Sequence, residues 1–132
     1  MTRTDHTSPL ILVVEDVHET RDGIEKLLQA DGYSVAVARD ARDGVETARR
    51  STPDLILVSL AGLARDVIVA ARRIRERASV AESVPVVVFC IDEIDEGDEI
   101  ALGRNVHVTR PDNFNQLRSL LKRLLLKIPK AA

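Results

Sequence analysis

The sequence predicts one α/β domain in which a five-stranded parallel β-sheet is covered by helices on both faces. Five short apolar runs, rich in β-branched residues, punctuate the 132 residues, and helical patterns fill the gaps between them. Apolar residues follow one another within the stronger runs instead of alternating with polar ones, which is typical of strands buried on both faces. The length suits a single domain with one hydrophobic core. We expect that domain at residues 9–128, with flexible ends at 1–8 and 129–132.

The five runs predict the strands in chain order. Those at residues 34–38 and 106–108 are the weakest, so we expect them at the edges of the sheet. Strands that alternate with helices and connect by right-handed crossovers leave few topologies. The predicted strands cover residues 10–14, 34–38, 55–58, 84–89 and 106–108.

Five helical patterns alternate with these strands. Asp31-Gly32 ends the first helix, and Asp40 is the expected N-cap of the second. The fourth pattern is short and acidic, and it has no basic residue. The predicted helices cover residues 18–30, 40–50, 65–78, a short segment between 91 and 103, and 112–127, the last beginning at a cap on Asp112.

The composition narrows the possible functions. The formal net charge is −2, so nothing in it favours nucleic acid or an anionic membrane. The aromatic residues are too few for stacked bases: Tyr33, Phe89 and Phe114. No apolar run approaches the ~20 residues of a membrane span, and the N-terminus lacks the pattern of a signal peptide. We therefore expect a cytoplasmic protein without nucleic-acid or membrane partners.

Polar and reactive residues stand where the predicted strands end. In parallel α/β sheets, ligands bind beyond the carboxyl ends of the strands, near the point where the strand order reverses. The candidate site residues are therefore Glu15 and Asp16 after the first strand, Ser59 after the third, Cys90 after the fourth, and Arg110 with Pro111 after the fifth.

Four segments carry a family resemblance: ILVVEDV, PDLILVSL, VPVVVFC and VHVTRP, in this order and at suitable separations. Together they resemble the receiver domains of bacterial two-component response regulators over residues 10–128. The resemblance implies a flavodoxin-like fold with strand order 2-1-3-4-5. It also implies transfer of a phosphoryl group from a kinase histidine to an aspartate at the end of the third strand, assisted by Mg²⁺.

The sequence keeps only part of what the resemblance implies. The acidic pair that helps to hold Mg²⁺ is present. The departures are Ser59 at the acceptor aspartate, Cys90 at the Ser/Thr position, His107 at the switching aromatic position, and Arg110, followed by Pro111, at the lysine position.

These departures predict a domain that is not phosphorylated on aspartate. An unassisted serine hydroxyl is a weak nucleophile that needs a base. Because one of three carboxylate ligands is missing, we expect weak or absent Mg²⁺ binding and no other cofactor. Arginine can bind a carboxylate through two hydrogen bonds. We therefore expect Arg110 to replace the metal as counterion of Glu15 and Asp16, or else to turn into water.

The main functional hypothesis is a non-enzymatic signalling module that binds proteins. The resemblance points to a face made by the fourth helix, the fifth strand and the last helix, through which a homodimer could form. The last helix has a broad apolar arc, with Leu126 opposite it. Its interface candidates are Phe114, Leu117, Leu121 and Leu125.

Two rival classes stay open at this point. A flavodoxin-like enzyme or cofactor binder would need a phosphate-cradling loop after the first strand. That loop reads EDVHET, whose carboxylates repel phosphate. A thiol-redox sensor would rest on Cys90 alone. Four arginines of the third helix are read as its solvated face: Arg72, Arg73, Arg75 and Arg77.

Overall fold

The structure is a computed structural model, and it describes residues 8–89 and 93–126. Six strands and four helices form the described fold. In chain order they are β1 (Leu10–Glu15), α1 (His18–Ala30), β2 (Ser34–Ala38), α2 (Ala41–Arg50), β3 (Leu55–Ser59), α3 (Ala64–Arg77), β4 (Val86–Phe89), β5 (Glu99–Gly103), β6 (Val106–Thr109) and α4 (Phe114–Leu126). Residues 1–7 and 127–132, which include most of the two expected flexible ends, lie outside the described residues, as does Cys90.

One sheet organises the chain, in the order β2-β1-β3-β4-β6-β5. The first five strands of this order are parallel neighbours, and they follow the predicted order 2-1-3-4-5. The flavodoxin-like α/β class is therefore confirmed. The sixth strand, β5, pairs with β6 in the antiparallel direction and forms the outer edge.

The acidic fourth helix was a wrong prediction, because Glu99–Gly103 forms strand β5. Acidic side chains without basic partners one turn away give a helix no ion-pair support. The hairpin turn explains the alternative: Arg104 and Asn105 have φ values of 53° and 61°, as both central residues of a type I′ turn require. Since β5 lies outside β6, residues 106–109 are not an edge as expected, whereas β2 is one.

Two apolar layers sandwich the sheet and explain the continuous apolar runs. Successive residues of a strand point to opposite faces. Leu12 and Val14 pack towards α2 and α3, where Ile74 is buried. Ile11 and Val13 pack towards α1 and α4 on the other face. Each central strand is thus covered on both sides, as the continuous runs predicted.

The last helix differs from the prediction in two respects. Its cap is Asn113 and not Asp112, because Asn113 Oδ1 accepts a hydrogen bond from the Gln116 N–H at 3.0 Å. Leu117 and Leu121 are buried in the core. Their apolar spacing served packing against the sheet, so they are not available to a partner. Phe114 and Leu125 are half-buried and Leu126 is exposed.

Candidate functional site

The acidic residue and the serine singled out from the sequence meet at the carboxyl ends of the two central strands. Glu15 is the last residue of β1, and Ser59 is the last of β3. The two residues are direct register partners in the parallel pairing of these strands. The expected site at this edge of the sheet therefore has Glu15 and Ser59 side by side.

Glu15 has a buried carboxylate that is only partly satisfied. Its residue is 3% exposed, and Oε2 accepts a hydrogen bond from the Val17 N–H at 3.0 Å. Oε1 is buried and has no hydrogen-bond partner among the described residues. A buried oxygen without a partner is costly and uncommon in folded proteins. This unpartnered oxygen therefore suits a cation.

Asp16 lies beside it but is exposed. Its Oδ2 accepts a long hydrogen bond, 3.4 Å, from the Ala61 N–H in the loop after β3. Within residues 8–89 and 93–126, no group of three or more His, Cys, Asp or Glu side chains is placed to hold a metal ion. Mg²⁺ prefers near-octahedral oxygen coordination. The carboxylates that the structure places here are those of Glu15 and Asp16, one fewer than the three that the family resemblance implies.

Arg110 does not act as the counterion of the acidic pair, and that expectation is wrong. Its guanidinium donates to the Ile94 carbonyl at 3.1 Å. Among ion pairs of the described residues, none joins Arg110 to Glu15 or Asp16 within 4.0 Å. The loop before β5 explains the difference, because its Ile94 carbonyl lies within reach of the guanidinium. Pro111 follows and is half-buried.

The main chain of Arg110 is fixed by the same segment. Its carbonyl accepts from the Gly97 N–H at 2.7 Å, and its N–H donates to the Asp98 carbonyl at 3.1 Å. Thr109, buried at the end of β6, donates its hydroxyl to the same Asp98 carbonyl at 3.1 Å. The arginine at the lysine position therefore secures the loop before β5.

His107 lies within β6 and half-buried, between Val87 of β4 and Ala101 of β5. Its Nε2 is 2.9 Å from Asn105 Oδ1 at the hairpin turn. His107 is thus tied to the turn between β5 and β6. The thiol candidate, Cys90, lies outside the described residues.

A carboxylate that sequence reasoning missed reaches the same end of the sheet. Glu93 Oε2 accepts a hydrogen bond from the Ala64 N–H at 2.8 Å. Ala64 is the first residue of α3, and the N-cap residue Leu63 makes no side-chain cap. A carboxylate is favourable at a helix N-terminus because it satisfies a free N–H and interacts with the helix dipole. The acidic run gave no sign of which carboxylate would do so.

Arg75 was wrongly placed on a solvated helix face. It is only 5% exposed, and its guanidinium donates to the carbonyls of Val84 at 3.0 Å, of Asn105 at 3.4 Å, and of Arg104. Burial lowers the pKa of this guanidinium, opposed by the carboxylates of Glu82 and Glu76. Arg75 therefore joins α3 to the hairpin turn. Its helical spacing alone could not have shown this.

A cavity of about 500 Å³ lies away from the strand ends, between α2 and α3. Its floor is apolar and includes Val45 and Ile74, and its rim carries four arginines: Arg42, Arg49, Arg73 and Arg77. Arg49 donates to the Arg77 carbonyl at 2.9 Å and so occupies part of the rim. This cavity is separate from the residues that meet at the strand ends.

Comparison with known families identifies the chain. The model of the response regulator receiver domain matches residues 11–122, which include every described strand apart from the first residue of β1, and most of α4. The chain belongs to the response regulator receiver family. It is thus a receiver domain of two-component signalling, and receiver domains are signalling modules.

The individual relatives share less than a third of their residues with this chain over the aligned range. The aerobic respiration control protein ArcA of Escherichia coli is 28% identical over 125 residues, which cover 89% of this chain and 50% of that protein. The chain spans about half the length of this curated relative. A receiver domain from a signal transduction histidine kinase of Syntrophus aciditrophicus superposes with a TM-score of 0.70 at 20% identity, over 95% of this chain and 97% of that one.

A further solved structure bears on the metal question. The receiver domain of the sensor histidine kinase PA1611 of Pseudomonas aeruginosa is 28% identical, with a TM-score of 0.67, over 92% of this chain and all of that one. That structure holds a magnesium ion in its active-site cleft.

In the described part of this chain, no helix has both the length and the apolar character to cross a membrane.

Proposed function

We propose that this receiver domain is an atypical signalling module that acts in the cytoplasm by binding proteins and is not phosphorylated on aspartate. The observation that carries the proposal is Ser59 at the end of β3, next to Glu15 in the register of the sheet. By the family resemblance Ser59 stands at the acceptor position, so a neutral hydroxyl replaces the anionic carboxylate that would be the nucleophile.

No hydrogen bond among the described residues joins the Ser59 hydroxyl to a base. The carboxylate oxygens that accept hydrogen bonds do so from main-chain groups: Glu15 Oε2 from Val17 and Asp16 Oδ2 from Ala61. Glu15 Oε1 makes no hydrogen bond within the part of the chain that the structure describes. A serine without a base stays protonated and attacks phosphorus poorly.

The arginine at the lysine position supports the same proposal. Arg110 donates to the Ile94 carbonyl and is bound through its main chain to Gly97 and Asp98. A phosphoryl group at Ser59 would need a cation free to move towards it. Here that cation is engaged in holding the loop before β5.

The experiment is incubation of the chain with acetyl phosphate and Mg²⁺, followed by intact-mass spectrometry. We expect no phosphoryl adduct on the wild-type chain. The matched variant Ser59→Asp restores the carboxylate, and we expect only a small adduct fraction because Arg110 stays engaged. A stoichiometric phosphoryl adduct on the wild-type chain that disappears in Ser59→Ala would contradict the proposal.

Weak metal binding is the second part of the proposal. The unsatisfied Oε1 of Glu15 attracts a cation, but the third carboxylate that the resemblance implies is replaced by the neutral hydroxyl of Ser59, which is a weaker ligand for Mg²⁺. We expect a Mg²⁺ dissociation constant on the order of millimolar or weaker, measured by isothermal titration calorimetry. Glu15→Gln and Asp16→Asn should each abolish the residual binding. A constant well below millimolar would overturn this part.

A further inference from the structure

The strand that replaces the expected fourth helix leaves an open sheet edge. β5 pairs with β6 on one side and is the last strand in the sheet order. Among the described residues, no strand lies on its other side. An edge strand presents backbone N–H and C=O groups that can pair with another strand. The expected dimer face required a helix here, so an edge takes its place.

β5 exposes large apolar side chains on its unpaired edge. All five of its residues are exposed. Ile100 is 39% exposed and Leu102 is 41% exposed, and they are two of the seven exposed large apolar side chains among the described residues. Isolated exposed apolar residues are ordinary. Two on one unpaired strand are the combination that favours strand pairing.

Contacts at both ends of β5 keep this edge strand ordered. At its start, Gln116 Nε2 donates to the Gly97 carbonyl at 2.7 Å, and Arg123 donates to Glu99 Oε1 at 2.7 Å. At the turn, Arg75 donates to the main-chain carbonyls of Arg104 and Asn105. A strand that is already ordered loses little conformational entropy when a second strand pairs with it.

The sequence of the edge is self-complementary. In an antiparallel pairing with a two-fold axis at Ala101, Ile100 lies opposite Leu102 of the second copy, and Glu99 lies opposite Gly103. Beyond the ends of the strand, Asp98 of one copy comes near Arg104 in the hairpin turn of the other. Apolar side chains therefore meet apolar ones and opposite charges meet, which stabilises cross-strand pairs. A two-fold contact of this kind also closes on itself and does not form fibres.

We propose that β5 is a homodimerisation edge: two copies of this chain pair their β5 strands in antiparallel fashion about Ala101, giving one continuous twelve-stranded sheet. The strand is short, and a bulge lies between Ala101 and Gly103. Short strands and bulges weaken edge pairing. The dimer is consequently reversible and forms as concentration rises.

The first test is sedimentation velocity of the wild-type chain from about 10 µM to about 1 mM, a range that detects a dissociation constant on the order of 10⁻⁴ M. We expect the average mass to rise from monomer towards dimer. A monomer throughout this range would overturn the proposal, and a partner strand from another protein would then be the remaining occupant of the edge.

The second test locates the contact. Ile100→Lys and Leu102→Lys place a charge on the edge, as natural edge strands do, and should weaken dimerisation at least about tenfold. Val69→Lys is the matched control, because Val69 is an exposed apolar residue on α3, away from β5. Far-UV circular dichroism checks that each variant is folded. A dimer that ignores both β5 changes would overturn the proposed edge.

The third test decides the register. Asp98→Arg and Arg104→Asp each put like charges near one another in the proposed pairing, so each variant alone should be monomeric. Their mixture restores both opposite-charge pairs and should dimerise. Asp tolerates the positive φ of position 104, and Arg75 contacts only the main-chain carbonyl there. A mixture that stays monomeric would overturn pairing about Ala101.

Discussion

The centre of the sheet and its β5–β6 end are built on different principles. β3 lies between β1 and β4, and Leu55, Ile56, Leu57 and Val58 are fully buried. β5 has one neighbouring strand, and all its residues are exposed. The central strands are stabilised by apolar burial on two faces. β6 pairs with β4 and buries Val106 and Val108 in the core, whereas β5 is held by its pairing with β6 and by a few polar contacts to α3 and α4.

The same two regions divide the candidate site. The pairing of the central strands brings Glu15 and Ser59 together as register partners. The hairpin determines where Arg110 donates and where His107 lies. Contacts of the β5–β6 region thus fix both Arg110 and His107, whereas Ser59 lies at the end of the central strand β3.

The largest effect should come from the centre of the sheet. Leu57→Ala removes a fully buried side chain and leaves a cavity between β3 and the helices α1 and α4. We expect the free energy of unfolding to fall by about 2–5 kcal/mol, measured by urea denaturation. Leu102→Ala on β5 is the comparison and should cost less than about 1 kcal/mol. Similar losses of unfolding free energy in both variants would contradict the difference between the buried centre of the sheet and the exposed strand β5.

The centre of the sheet was readable from the sequence because burial leaves a periodic signal there. Continuous apolar runs predicted the parallel strands, and the Asp40 cap predicted the start of α2, where Asp40 Oδ1 accepts from the Asp43 N–H at 2.8 Å. The weak run at 34–38 was correctly placed at an edge. A strand that is buried on both faces needs apolar residues at successive positions, so its own sequence shows this burial.

The second effect concerns the arginine that joins α3 to the hairpin. Arg75→Met keeps most of the buried stem but leaves the Val84, Arg104 and Asn105 carbonyls without this donor. Unsatisfied buried groups are costly, so we expect a loss of about 2–4 kcal/mol in the free energy of unfolding. Hydrogen exchange should accelerate most at β5 and β6.

The control for this prediction is Arg73→Met, on the same helix but exposed. It should change the free energy of unfolding by less than about 0.5 kcal/mol. Acceleration of exchange spread evenly over the sheet would mean that Arg75 stabilises the whole domain and not the hairpin in particular.

The hairpin escaped sequence reasoning because its determinants are not periodic. Arg75 and Gln116 hold it through side-chain contacts to main-chain carbonyls far along the chain. Such contacts leave no trace in local spacing. Acidic composition suggested a short helix, while the decisive signal was the pair Arg104 and Asn105 after Gly103, with positive φ at all three residues.

The third effect concerns the turn. Asn105 has a φ of 61°, and its Nδ2 donates to the Ser83 carbonyl at 3.0 Å. Asn105→Ala loses the side-chain bonds and strains the left-handed backbone, so we expect a cost of about 1–3 kcal/mol. Asn105→Gly loses the same bonds without that strain and should cost less. Equal thermal shifts in the two variants would exclude a role for the backbone conformation.

The candidate site was only partly readable for a related reason. Glu15, Asp16 and Ser59 follow strands whose ends the apolar runs define, so the sequence located them. Arg110 is on the right strand end, but its partner, the Ile94 carbonyl, belongs to the unforeseen segment. The strand pattern predicts where Arg110 lies, but it does not predict which group the guanidinium contacts. The predicted ion pair was wrong for this reason.

The smallest effect is electrostatic and tests the contact between β5 and α4. Burial opposes ionisation of Glu99, but hydrogen bonds from Arg123 and Gln116 outweigh it and lower the pKa of this carboxyl below its ordinary value. A carboxyl with a lowered folded-state pKa stabilises the fold above its unfolded pKa, and this contribution disappears as the pH falls through the folded-state pKa. The folded protein is therefore favoured at neutral pH.

Comparison of the wild type with Glu99→Gln measures that contribution. The wild type should be more stable by about 0.2–1 kcal/mol at pH 7, and the difference should shrink on acidification below roughly pH 4 and in high salt. Asp22→Asn is the control, because the Asp22–Lys26 pair is well exposed and should show no comparable change. A difference between wild type and Glu99→Gln that grows as the pH falls would contradict the assignment, since protonation of Glu99 removes the charge that Arg123 binds.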